Sequence, residues 1–182
     1  MLDLAITNFD EPIRDVIAEP LGREPMMLVG PPGSPLFAQS TINIADLATL
    51  PLVLTTRPNS LRLSVESSLA RLGLRPNIRI EANTLPLMTD LVTGRLGYTV
   101  LPFCGVRNLV QGRKLAAAPI ADFDITWLLA KPKARSLSAP AEAFCTLLRE
   151  LAQEQIELGV WADPVRPRPP PKSRRSTLPS PT

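Results

Sequence analysis

The sequence predicts an α/β fold, and three observations predict it. Short β-favouring runs alternate with amphipathic helical stretches along most of the chain. At Val92–Pro102 (VTGRLGYTVLP) a last helical turn passes through a glycine corner into a strand. Gly94 stands where a helix C-terminus favours a residue able to take positive φ, Tyr98–Leu101 is β-favouring, and Pro102 cannot continue a central ladder. Finally, 45% apolar residues supply a sizeable core for a chain of 182 residues, enough for one domain or two small lobes. The alternation argues for mainly parallel pairing.

The elements follow in order. Leu2–Ile6 (LDLAI) reads as a short strand, and Ile13–Leu21 and Pro25–Gly30 as two further extended segments. PPGSPL at 31–36 is a turn-rich loop. A single helical turn is expected around ADLATL, opened by Asn43 or Ile44, and a strand at Leu52–Thr55. Ser60–Leu72 is a helix capped by Asn59 or Ser60, with Leu61, Val65, Leu69 and Leu72 on one face and Gly73 ending it. Asn77–Ala82 is a strand. Thr84 opens a second helix that turns Leu85, Met88 and Leu91 or Val92 inward. A short helix at Val106–Val110 precedes strands near Leu115–Ile120 and Ile125–Ala130. A long helix over about Pro140–Leu158 closes the series, with Ser138 placed to cap it and Ala141, Phe144, Leu148 and Leu151 inward.

Charge separates the body from a tail. The chain carries 20 basic and 17 acidic residues. Residues 161–182 hold five of the basic ones (Arg166, Arg168, Lys172, Arg174, Arg175), one acid (Asp163) and seven prolines. The body is therefore slightly acidic, which argues against a nucleic-acid surface there, and the tail has the composition of a disordered extension. Cys104 and Cys145 match no CxxC spacing and read as small core residues in a reduced, cytoplasmic setting. MLDLAITNFDEP lacks the basic and apolar regions of a signal peptide, and no apolar run approaches the roughly 20 residues that span a bilayer.

The residue inventory limits the chemistry. With no histidine in the chain, Ser-His-Asp and Cys-His catalysis and His-ligated zinc are excluded. No GxGxxG, Walker A, GxSxG or HExxH pattern is present. No metal and no cofactor is expected, and no catalytic residue is assigned. Asp122/Asp124 and Glu154/Glu157 read as solvated surface charge. What the chain does offer is small hydroxyl and amide groups where strands meet helices: Thr55, Thr56, Asn59 and Ser60, then Asn83 and Thr84. Such positions lie at the carboxyl edge of a parallel sheet, where α/β proteins bind ligands, and helix N-termini favour anions. Helix capping alone also accounts for Asn59 or Ser60 and for Thr84.

Five segments in order resemble the effector-binding domain of LysR-type transcriptional regulators: LDLAI at 2–6, EPLGREPMMLVGPPGSPL at 19–36, INIADLATLPLVLTTRPNSLR at 42–62, VTGRLGYTVLP at 92–102 and ITWLLAKPKARSLSAPAEAFCTLLREL at 125–151. The family usually has glycine at the place of Arg95. The resemblance implies a fold like type II periplasmic binding proteins, with two lobes of mixed sheet and a small-molecule effector, anionic by the argument above, in the cleft between them. By position it assigns Thr55, Thr56, Asn59, Ser60, Asn83 and Thr84 to one wall, and Thr7 and Asn8 to the other. It divides the chain into a first lobe (1–23 and 131–160), a second lobe (24–130) and a tail (161–182), with strand crossings near Leu21–Pro25 and Ala130–Pro132. It implies homo-oligomers, and DNA contact through a winged helix-turn-helix with no counterpart in these segments. It also places LDLAI at the first lobe's third strand, so that lobe is expected to be incomplete, with an exposed apolar patch and a tendency to associate. A solute-binding protein of the same fold, and a truncated product without function, are the alternatives; an enzyme is not expected.

Overall fold

The structure is a computed structural model that describes residues 3–8 and 13–161. The basic, proline-rich tail lies outside these residues, apart from Trp161. Among the described residues, six strands and four helices follow in the order β1 (Ala5–Thr7), β2 (Val16–Gly30), β3 (Leu52–Leu54), α1 (Ser60–Ala70), β4 (Ile78–Glu81), α2 (Leu85–Thr93), β5 (Thr99–Pro102), α3 (Phe103–Gln111), β6 (Ala116–Pro132) and α4 (Ala139–Glu157). Two 3-10 turns, Pro35–Ala38 and Ile44–Ala48, fill the connection before β3.

Mainly parallel pairing does not hold. The principal sheet runs β1-β6-β2-β5 and every pairing in it is antiparallel. Only β3–β4 is a parallel ladder, joined to the rest through a parallel bridge at Leu52 and Tyr98. The cause is the length of β2 and β6. The extended segments expected on either side of Leu21–Pro25 are one strand, as are those on either side of Ala121–Asp124. Prolines 20 and 25 are accommodated at register shifts between Pro20 and Gly22 and between Pro25 and Met27, because a bulge tolerates a residue that cannot donate. Gly22–Pro25 faces Asp124–Trp127.

The packing explains the pattern of the central strands. Successive residues point to opposite faces. Met26, Leu28 and Val100 join Leu52, Val65 and Leu69 in a cluster beneath α1. Met27, Val29 and Leu101 join Met88, Val92 and Val106 in a second cluster beneath α2 and α3. Burial on both faces is why MMLVG is apolar without alternation. A third cluster, with Leu21, Leu129, Cys145 and Ala152, lies between α4 and the other end of β2 and β6. Trp127 packs against the first and third clusters alike.

Helix faces differ in detail from the sequence expectation. Leu72 lies beyond α1 and is 53% exposed, and Leu85 at the start of α2 is 40% exposed. On α4 the inward residues are Cys145, Leu148 and Ala152, whereas Phe144 and Leu151 are 45% and 46% exposed. The small side chains let α4 sit close to Leu21 and Leu129, and Arg149 holds that rotation by donating to both carboxylate oxygens of Glu19 at 2.6 and 3.1 Å. Phe144, Leu147 and Leu151 thus share an outward apolar face. Cys104 is exposed rather than a core residue, while Cys145 is buried.

The glycine corner is built one residue later than expected. Gly94 has φ −71°; Arg95 takes the left-handed conformation at φ 61°. The N–H of Arg95 bonds Val92 O and that of Leu96 bonds Leu91 O, the paired bonds of a Schellman motif with Arg95 at the C′ position. α3 ends in the same way with Arg113, φ 56°. The glycine that the corner does require is Gly97: a Cβ there would stand 2.6 Å from the carbonyl oxygen of Pro51.

Candidate functional site

Expected site residues gather in two places. In the first, the loop after β3 meets the loop after β4. Thr56 gives both its backbone N–H and its hydroxyl to Oδ1 of Asn83, each at 2.9 Å. Two donors on one acceptor lock the loops together. Asn59 is the N-cap of α1, its Oδ1 accepting from the N–H groups of Leu61 and Arg62 at 3.0 and 3.3 Å, so capping is its role here. Thr84 occupies the N-cap of α2 without a side-chain bond, and the carbonyl of Thr55 accepts from Arg62.

In the second place, the end of β1 meets α1. The hydroxyl of Ser60 lies 3.0 Å from Oδ1 of Asn8 and donates to it. This pair borders a cavity of about 620 Å³ between α1 and β6. Of the expected residues only Asn8 and Ser60 line it; Thr7, Thr55, Thr56, Asn59, Asn83 and Thr84 stand outside its lining. The rest of its polar lining escaped the sequence reading. Ser64, Ser67 and Ser68 come from α1 and Arg71 from its C-cap, and Asp122, Asp124 and Thr126 from β6. A signal for the α1 group was available: residues 60, 64, 67–68 and 71 recur at helical spacing beside the apolar stripe. Nothing local could have found the β6 group, because its approach to α1 is purely tertiary.

The electrostatics around α1 come from a buried guanidinium. Arg62 is 6% exposed. It donates from Nε to Glu66 at 2.6 Å, and from Nη1 to Glu81 at 3.1 Å and to the carbonyl of Thr55 at 2.7 Å. Burial opposes ionisation of Glu66, but hydrogen bonds from Arg62 and Arg57, with their charges, outweigh it and hold the carboxyl below its usual range. Burial opposes the charge on Arg62, but hydrogen bonds to Glu66 and Glu81, with their negative charges, outweigh it and raise Arg62. This network fixes the start of α1 against β3 and β4. Within the cavity, Asp124 pairs with Arg23 at 3.5 Å and is partly buried, so it is not the solvated charge expected. Asp122 is exposed and has φ 51°.

Glu24 anchors the other side of the seam. It is 2% exposed and accepts from the indole N–H of Trp127 at 2.7 Å and from the backbone N–H of Cys104, in the first turn of α3, at 3.0 Å. The helix N-terminus supplies positive potential to a carboxylate that has no cation among these partners. Desolvation of the Cys104 thiol, followed by its hydrogen bond to Glu24, pushes that thiol up to about 12.

Comparison with known proteins adds a family. The family described as LysR substrate binding domain matches residues 1–153. The HTH-type transcriptional regulator BbuR of Bordetella bronchiseptica is 32% identical over 121 residues, 66% of this chain and 37% of that protein. The RuBisCO operon transcriptional regulator of Acidithiobacillus ferrooxidans is 26% identical over 148 residues, 80% of this chain and 48% of that protein. The chain thus spans less than half the length of these two relatives. Among solved structures, the regulatory domain of Synechocystis PCC6803 CcmR in complex with 2-PG superposes with a TM-score of 0.71 at 22% identity, covering 83% of this chain and 74% of that one. The effector binding domain of QuiR in complex with shikimate gives 0.72 at 21% identity, covering 84% and 72%. These likenesses establish the type II periplasmic-binding-like α/β fold.

Proposed function

Because the chain belongs to the LysR substrate-binding-domain family, we propose that it senses a small-molecule effector for a transcriptional regulator and is not an enzyme. The first lobe comprises residues 1–23 and 131–160 and the second residues 24–130. The effector lies between them, in the cavity that Asn8 and Ser60 line; Thr7, Thr55, Thr56, Asn59, Asn83 and Thr84, expected on its walls, stand outside that lining. One observation carries the reading: Ser60, at the start of α1, holds Asn8, at the end of β1, on the border of a cavity of about 620 Å³. The effector carries an anionic group, supported by Arg71, the one cation in that lining among the described residues.

Binding draws the lobes together, and closure changes how subunits pack. A ligand achieves this only through unequal affinity for the two arrangements. The subunits form a homo-oligomer, for which the outward apolar face of α4 is available. Operator DNA is contacted through a separate winged helix-turn-helix unit. The protein works in the cytoplasm; among the described residues no helix is long and apolar enough to cross a membrane.

The test is a thermal-shift and tryptophan-emission titration of the full chain with small carboxylates and phosphate esters, shikimate and 2-PG among them. A rise in melting temperature that Ser60→Ala or Asn8→Ala removes supports the site. Shifts unchanged in both variants would place binding elsewhere, and no shift with any probe would remove the sensing role.

A further inference from the structure

We propose that the effector is a zwitterion, an α-amino acid with a polar side chain, whose carboxylate meets Arg71 and whose ammonium meets Asp122. This deepens the effector reading above and rests on it. The argument starts from the N-terminus of α1, the expected anion site. Asn59 already accepts from both Leu61 and Arg62 there, so the first-turn donors are largely spent. The cation left for an anionic group is Arg71. Its Nη2 donates to Ser68 at 2.9 Å, which folds the guanidinium back along α1, and one two-donor edge of the guanidinium, Nη2 with either Nη1 or Nε, remains for a carboxylate.

A carboxylate faces the same space. Asp122 lines the large cavity, and it also lines a neighbouring cavity of about 240 Å³ together with Arg71 and Ser68. Both charges therefore stand at the waist between the two spaces. Asp124 is committed to Arg23, but among the described residues no ion pair joins Arg71 to Asp122 or gives Asp122 another partner. A simple anion would satisfy Arg71 and be repelled by Asp122. An ammonium and a carboxylate on one carbon answer both charges. From the waist, the ligand's side chain extends into the larger cavity. There the hydroxyls of Ser64, Ser67 and Thr126 have no hydrogen-bond partner among the described residues. Hydroxyl lining favours a side chain that can itself hydrogen-bond.

The experiment titrates the full chain with each standard L-amino acid. It then compares every amino acid that binds with its deaminated acid and its methyl ester. At least one polar amino acid is expected to raise the melting temperature, with affinity falling about tenfold or more for both analogues. Arg71→Gln and Asp122→Asn should each cause a similar loss. Asparagine tolerates the left-handed backbone at 122 as well as aspartate does, so that variant changes charge without straining the chain. Deaminated acids that bind as well as amino acids would overturn the role of Asp122. Retained affinity in Arg71→Gln would overturn the anchor. If no amino acid binds while shikimate, 2-PG or another anion binds in a Ser60-dependent way, the zwitterion is wrong and the sensing role stands.

Discussion

The indole N–H of Trp127 donates to Oε1 of Glu24 at 2.7 Å, inside the seam where β2 and β6 pass from one hydrophobic cluster to the next. Trp127 packs on both clusters, and Glu24 also holds the first turn of α3. One carboxylate thus ties together both long strands and a helix.

Removing that carboxylate is expected to be costly. Glu24→Ala leaves two part-buried donors, the Trp127 indole N–H and the Cys104 backbone N–H, without their acceptor, and an unpaired buried group costs about 1–3 kcal/mol. Urea unfolding should show a loss of about 2–4 kcal/mol, with Trp127 emission shifted to the red in the folded baseline. Glu24→Gln keeps one acceptor oxygen and should lose less. Equal losses in the two variants would mean that side-chain volume, rather than the acceptors, matters here.

The thiol beside Glu24 should be sluggish. A Cys104 raised to about 12 is almost wholly protonated at pH 8, so alkylation should run at least about 100-fold slower than for an ordinary exposed cysteine. Glu24→Gln removes the neighbouring charge and should speed it. The sign for stability follows. The folded state keeps its proton while the unfolded thiol loses it near 9, so this stabilisation is complete below pH 9 and is lost as pH rises toward 12. Rapid alkylation of the native chain at Cys104 would contradict this arrangement.

Arg95 carries a backbone cost that glycine would relieve. A left-handed conformation costs a residue with a Cβ about 1–2 kcal/mol, part of which the extra freedom of unfolded glycine offsets. Arg95→Gly should therefore stabilise the chain by up to about 1 kcal/mol, and Arg95→Val should destabilise it. Thermal unfolding of the two variants reads the difference directly.

Thr99 offers a second gain. Its side chain is fully buried, and its hydroxyl has no hydrogen-bond partner among the described residues. Thr99→Val replaces that hydroxyl by a methyl of similar size and should stabilise by about 1 kcal/mol. A loss of stability would instead reveal a partner for the hydroxyl.

Much of this protein was legible locally. The Asn59 cap, the start of α1 and the strand before Pro102 follow from short-range chemistry that acts within a turn or a few residues, while the order of the segments was legible only through their resemblance to a family. Where a face depended on a neighbour, local reasoning slipped. Phe144 and Leu151 are as apolar as Leu148, yet Cys145 and Ala152 are turned inward because the sheet beneath α4 admits small side chains. Likewise, Gly94 looked like the left-handed residue, but the bonds to Leu91 and Val92 put Arg95 there.

The sequence by itself determined the kind of molecule: an α/β domain without histidine chemistry, carrying hydroxyl and amide groups where strands meet helices. Composition and periodicity are properties of the chain alone, and they sufficed for that. Tertiary structure alone decided that the strands run antiparallel through the seam, that Asn8 reaches Ser60, and that Asp122 faces the cavity beside Arg71. Those relationships join residues far apart in sequence. They exist only because β2 and β6 are each long enough to belong to two hydrophobic clusters at once.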